Sequence, residues 1–157
     1  MPSVTVSKSE VACELLERAI ELHLRGDSYY AALHLGGAAE ELLSVSAREV
    51  KVAPDTFLKP AFDQMKEAIV ALSKPSSEAE RQQVEKWAHD RMNDAKNVVK
   101  HKRGAKDTSV ALDAKEESGD LIDRAITTYF QLFSILRLRH LPSIQDFDQR
   151  RRAEQAE

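Results

Sequence analysis

Lys96-Asn97-Val98-Val99-Lys100-His101 brings a cation, an amide and an imidazole into one short stretch of the chain. That set suits chemistry at a phosphodiester. Histidine is the side chain that changes charge nearest neutrality, so His101 can take a proton from a hydroxyl or return one to a leaving oxygen. Lys96 can neutralise charge that builds on the phosphate. Asn97 offers an amide to orient either partner. Val98 and Val99 tie the segment to a core. A surface histidine near a helix end, placed to complement the helix dipole, gives the same pattern.

On a helix, Asp90, Asp94, Asn97 and His101 fall at i, i+4, i+7 and i+11 and make one polar ridge. Asp90 and Asp94 are read as a solvated face. Tyr30, His34 and Glu41 make a second ridge on an earlier helix. His34, Glu41, Asp94 and His101 invite a metal reading. No Glu-x-x-His pair or other diagnostic ligand spacing supports it, so no metal or other cofactor is expected. Lys96, Lys100, Lys102, Arg103 and Lys106 cluster around one helix end. They could hold RNA phosphates, and a helix C-terminus also attracts cations on its own account. No aromatic residue is interleaved with them, which argues against base stacking. Arg91 falls inside the apolar stripe near Trp87 and Ala95. A buried guanidinium needs a partner, and Glu40 is the expected one, in an ion pair joining two helices.

The elements that must position these groups are helical. One helix should run from Ser7 to about Leu24, with Ser7 and Glu10 at capping-box spacing. A second should run from Ser28 to about Val50 behind Asp27 as N-cap. It is apolar over much of its circumference and is read as the central helix. Gly36-Gly37 interrupts it, at a cost of about 1 kcal/mol per glycine relative to alanine. Close approach of a neighbouring helix is the favoured reason, with room for a ligand backbone as the other. A third helix should begin near Asp55, with Pro60 in or near its first turns, and end near Ser73. Its apolar face is Phe57, Leu58, Phe62, Met65, Ile69 and Leu72. A fourth, from Ser77 to about Lys102, has Val84, Trp87, Ala88, Met92, Ala95, Val98 and Val99 on its core side. Residues 103–112 read as a loop. A fifth helix should run from Asp113 to about Arg139 and stop at Pro142. Residues 143–157 form a polar C-terminal helix or tail. The fold class is therefore all-α, an up-and-down bundle of four main helices plus a shorter C-terminal helix or tail.

Composition agrees with that class. The chain has 157 residues, enough for one domain with a real core, and only 5 Gly and 5 Pro, which fall mostly between periodic segments. Its net charge of −3 excludes a global field that attracts nucleic acid, so any anion site must be local. Cys13 is the single cysteine, which rules out an internal disulfide and fits a reducing compartment. No apolar run is long enough to span a membrane and no signal-peptide pattern is present, so a cytoplasmic protein without a membrane partner is expected.

Lys96-Asn97-x-x-x-His101 resembles the Arg-Asn-x-x-x-His core of the HEPN superfamily (higher eukaryotes and prokaryotes nucleotide-binding), small helical domains marked by Arg, four to six residues, then His. Ala38-Ala39-Glu40-Glu41-Leu42-Leu43 is similar to the Ala-x-Glu-x-x-Leu pattern of an early family helix. The order that follows, a polar loop and then a long amphipathic helix, also matches. The likeness covers most of residues 7–140, within a single HEPN-like domain over residues 1–142. Two departures stand out. Lys96 occupies the arginine position and offers a point charge where arginine offers a planar fork. Arg103 occupies the place of a tyrosine that is modified in some members. The resemblance implies a homodimer whose motif helices pair across a two-fold axis, with a composite site for RNA or a nucleotide. In active members it implies metal-independent RNA cleavage, often by a toxin or defence effector with a cognate antitoxin. Lys96 and His101 would then be the catalytic pair, Asn97 would orient the phosphate or the imidazole, and Glu40 would fix the constellation. Lys100, Lys102, Arg103 and Lys106 would hold the nucleic acid. Many relatives are inactive binding modules, and the lysine moves this chain toward that group, or toward a dimerisation or protein-interaction scaffold.

Overall fold

The structure is a computed structural model that describes residues 3–101 and 104–156. It is an all-α bundle whose described helices are α1 (Lys8–Arg25), α2 (Tyr29–Glu49), α3 (Ala61–Ser73), α4 (Glu78–Lys100), α5 (Ala114–Phe133) and α6 (Ser143–Gln155). Local chemistry sets their ends. Ser7 accepts the Glu10 N–H at 3.1 Å to start α1, and Gly26, at φ 70°, closes it with its N–H turned back to the Leu22 and His23 carbonyls. Ser28 caps α2 by accepting from the Ala31 N–H at 3.3 Å; Asp27, the expected cap, pairs with Arg25 instead. Ser77 and Asp113 cap α4 and α5 in the same way.

Two boundaries differ from the sequence reading. Helix α3 begins at Ala61, because Lys51–Ala53 and Thr56–Phe57 form a small antiparallel hairpin. Asp55 takes φ 56° at its turn, a conformation that aspartate tolerates better than most residues. Pro60 then holds Lys59 away from helical angles, so the helix starts after it. Helix α5 stops at Phe133, several residues before Arg139. The chain turns through Arg137 at φ 51°, and the Tyr129 hydroxyl donates to the Arg139 carbonyl at 2.8 Å to fix the corner.

Helix α2 is central and packs most extensively on α5 and α1. Leu16, Ile20, Leu43, Ile122, Tyr129 and Leu132 form the heart of the core, and Ile144 and Phe147 of α6 join it. Of the two readings for residues beyond 142, the helix is the one that forms. Cys13 is buried in this core, and burial pushes its thiol pKa up, leaving a packed, unreactive side chain. Helices α3 and α4 form a hairpin on the flank. No residue between 63 and 87 is buried, so Met65, Leu72 and Trp87 do not serve as core; Trp87 is 59% exposed. Helical spacing placed Phe62, Met65, Ile69 and Leu72 on one apolar face, but Phe57 belongs to the small hairpin and is exposed, and of that face only Phe62 is buried.

His23 is buried beneath α6 between the rings of Tyr29 and Phe147, at centroid distances of 5.4 and 5.3 Å. Ser118 Oγ donates to the Lys115 carbonyl at 2.9 Å, so His23 Nδ1–H donates to Ser118 Oγ, also at 2.9 Å. Nε2 is buried with no partner. Burial lowers the His23 pKa, helped by the charges of Arg151, Lys115 and Arg150 and opposed by Glu154. The folded state thus keeps this ring neutral while the unfolded chain protonates it. Stability is full above the unfolded value of about 6.5 and is lost as pH falls toward the lower folded value. Urea denaturation between neutral and mildly acidic pH should show this as a slope of up to about 1.4 kcal/mol per pH unit. In His23→Gln the slope through that window should disappear.

Candidate functional site

Helices α2 and α4 enclose a cleft of about 360 Å³. Its inner wall is Glu40, only 2% exposed, whose Oε1 accepts from Ser44 Oγ at 3.2 Å. Opposite, Lys96 Nζ stands 3.8 Å from Glu40 Oε2 and 3.8 Å from Glu41 Oε2. Both distances exceed hydrogen-bond range, so the ammonium is held electrostatically between two carboxylates while its N–H donors are not committed to either. The glycine pair explains how the lysine gets there. A Cβ at Gly37 would lie 3.1 Å from Lys96 Cδ, so the bare backbone of α2 seats the lysine stem. At Gly36 the close neighbour is Ile122 of α5, at 3.2 Å. Close approach is the favoured sequence reading, and one of the two approaching groups is a side chain of the site.

Asn97 and Lys100 line the same cleft from α4, and Phe62, His89 and Asn93 close its far end. The His89 ring meets Phe62 edge-on at 5.5 Å, and Asn93 Nδ2 donates to the His89 carbonyl at 3.0 Å. Arg48, also on the lining, is bound through two hydrogen bonds of 2.8 and 2.9 Å to Asp63. The hydrogen bond from Arg48 holds the Asp63 carboxyl below its usual range, and that bond raises Arg48 in return.

Glu40, Lys96 and Asn97 therefore come together. His101 lies just beyond, at the C-cap of α4, exposed and extended at φ −123°, with its backbone N–H on the Asn97 carbonyl at 3.0 Å; it is not among the residues lining the cleft. Lys106 is exposed in the following loop, and Lys102 and Arg103 lie outside the described residues. Asp90 pairs with Lys86 at 2.5 Å, and its carboxyl pKa is lowered chiefly by that bond, while Asp94 is exposed, in keeping with a solvated face. Tyr30 and His34 are exposed and stand apart from the cleft; only Glu41 of that ridge reaches it. Among the described residues no group of three or more His, Cys, Asp or Glu side chains is placed to hold a metal ion. No described helix is long and apolar enough to cross a membrane.

Arg91 is a correction. It is exposed on the α3 and α5 side of α4 and does not pair with Glu40. The face of α4 that meets Glu40 carries Asn93, about half a turn from Arg91, and Lys96 and Asn97, more than a turn further on, so Lys96 takes that partnership. The buried guanidinium of the flank is Arg124 on α5, only 9% exposed. The sequence did carry a signal for it: Arg124 stands at i+3 from Leu121 and at i−4 from Thr128, inside the buried face of α5.

This is an all-α bundle with a lysine-bridged, carboxylate-walled cleft between its central helix and a flanking one. No family model matches the chain, and no curated protein or solved structure matches it.

Proposed function

We propose that the chain is a HEPN-like helical module that acts as a homodimer and binds RNA or a nucleotide at the α2–α4 cleft. One observation supports this reading above the rest. Glu40 and the pair Lys96 and Asn97, which carry the resemblance from distant segments, line one cleft. The uncommitted donors of Lys96, with Lys100 at the rim, suit phosphate oxygens. In this reading the two-fold mate brings a second His101 to the cleft mouth, and cleavage, where it occurs, uses His101 for proton transfer without a metal. A toxin or defence role with a cognate antitoxin belongs to the same reading.

A second reading, a non-catalytic dimerisation or interaction scaffold, is favoured by one feature: Lys96 is shared by two carboxylates and lacks the fork of an arginine.

The test is binding of a labelled single-stranded RNA, followed by anisotropy across a salt series, with cleavage scored in chelator. For the module, affinity falls steeply with salt, and Lys100→Ala lowers the salt slope by about 1. Cleavage in chelator that is lost in His101→Ala, with helicity unchanged, assigns the catalytic form. A strict monomer by light scattering, with no RNA binding at low salt, overturns the proposal and leaves only the interaction scaffold.

A further inference from the structure

Arg124 is a buried cation without an anion. Its Nη2 donates to the Met92 carbonyl at 3.1 Å, and its Nε is buried with no partner. No carboxylate among the described residues reaches ion-pairing distance of it. Burial lowers its pKa, with Glu40, Asp120 and Glu117 opposing only from a distance. Desolvating a charge and leaving it unpaired is costly. Acids were close at hand. Glu117, Asp120 and Asp123 line the same cavity, but Asp120 and Asp123 are engaged by Arg151, at 2.7 and 3.0 Å. The fold thus leaves Arg124 without a carboxylate partner in a region that contains carboxylates.

Arg124 is among the residues lining a cavity of about 510 Å³ between α3, α4 and α5, a size suited to a small molecule. Met65, Met92, Ala95 and Leu121 give it an apolar lining. The planar fork of arginine matches a carboxylate, and the lining, with Glu117, Asp120 and Asp123 against Arg91 and Arg124, carries no cationic excess to hold a polyanion. A ligand with one negative charge and a compact apolar body suits Arg124 and the apolar lining together.

We propose that this cavity binds a small amphipathic monocarboxylate, with its carboxylate on Arg124 and its apolar body along Met65, Met92 and Leu121. The site is separate from the α2–α4 cleft, and Phe62 stands between them: its ring lines the cleft, and the Arg124 guanidinium lies 5.7 Å from its centroid.

Isothermal titration with 4-phenylbutanoate, and with 4-phenylbutanamide as the neutral isostere, tests this. The acid should bind one per chain, and the amide should bind at least about tenfold more weakly, as expected for loss of a charge-assisted hydrogen bond. Arg124→Met should bring acid and amide to parity. Thr127→Trp, at an exposed position on the cavity wall, should weaken the acid on a protein whose core is untouched, and it keeps the test decisive if Arg124→Met fails to fold. Lys96→Ala should leave acid binding unchanged, which separates this site from the RNA cleft. Equal affinities for acid and amide, no binding of the acid up to about 10 mM, or unchanged affinity in Thr127→Trp would overturn the assignment.

Discussion

Phe147→Ala lowers the free energy of unfolding by about 3–5 kcal/mol, the range for truncating a fully buried aromatic. Phe147 is 0% exposed, and its ring meets His23 edge-on. Helix α6 has few other apolar anchors. Of its side chains only Ile144, Phe147 and Arg151 are buried, so removing one ring removes much of what holds the helix to α1 and α5. Exposed neighbours supply the control: Gln149→Ala on the same helix should shift stability by no more than about 0.5 kcal/mol. The measurement is the urea midpoint at constant slope, so that a change in midpoint reports stability alone. A loss under about 1 kcal/mol would mean that α6 is an appendage of the bundle and that its burial contributes little. A large loss would also move His23, because the ring that covers it would be gone. The acid-side slope attributed to His23 should then flatten in Phe147→Ala.

That helix shows where sequence reasoning ran short. Its composition is strongly polar, with only Ile144 and Phe147 as large apolar residues, so periodicity gives almost no signal. Beside the Phe147 ring, the rest of the anchoring comes from charge: Arg151 seats on α5, and Lys115 pairs with Glu154 at 2.7 Å. Long-range ion pairs leave no periodic trace. The helices with strong stripes were legible, as were the Ser7 and Ser77 caps, because those signals are local. The hairpin at Lys51–Phe57 was not, since its strands are too short to show alternation. Within the site, a glycine pair inside a helix correctly indicated close approach, but the sequence could not say that a lysine from a distant helix would fill one of the two gaps. Arg91 and Arg124 show the same limit. Both sit near apolar stripes; Arg124 lies on the face of α5 that the fold buries, whereas Arg91 lies on a side of α4 that stays exposed.

Arg151→Met should cost about 1–3 kcal/mol at neutral pH, between the small value of an exposed ion pair and the larger one of a broken buried pair. The guanidinium is the hub of three carboxylates on α5. Nη2 bonds Asp120 at 2.7 Å, Nε bonds Asp123 at 3.0 Å and Nη1 bonds Glu116 at 3.2 Å. Its side chain is 11% exposed, while the three acids are 58%, 44% and 62% exposed, and that exposure is why the lower part of the range is retained. Gly119 makes the seat possible, since a Cβ there would lie 2.8 Å from Arg151 Nη1. Gly119→Ala should therefore displace the guanidinium without removing the charge, its cost offset by about 1 kcal/mol of helix propensity gained by alanine. The pH dependence identifies the cause. Burial already raises the Asp123 pKa above its ordinary 3.8, even with Arg151 pulling it down. Without that cation it rises further, so the folded state binds its proton more tightly than the unfolded chain does. Stability is then favoured below the folded pKa and lost as pH climbs through it. The deficit of Arg151→Met should accordingly be largest near neutrality and shrink as pH falls toward 3.8. A deficit that stays constant over that window would assign the loss to the changed side-chain packing of α6 and not to the carboxylate cluster.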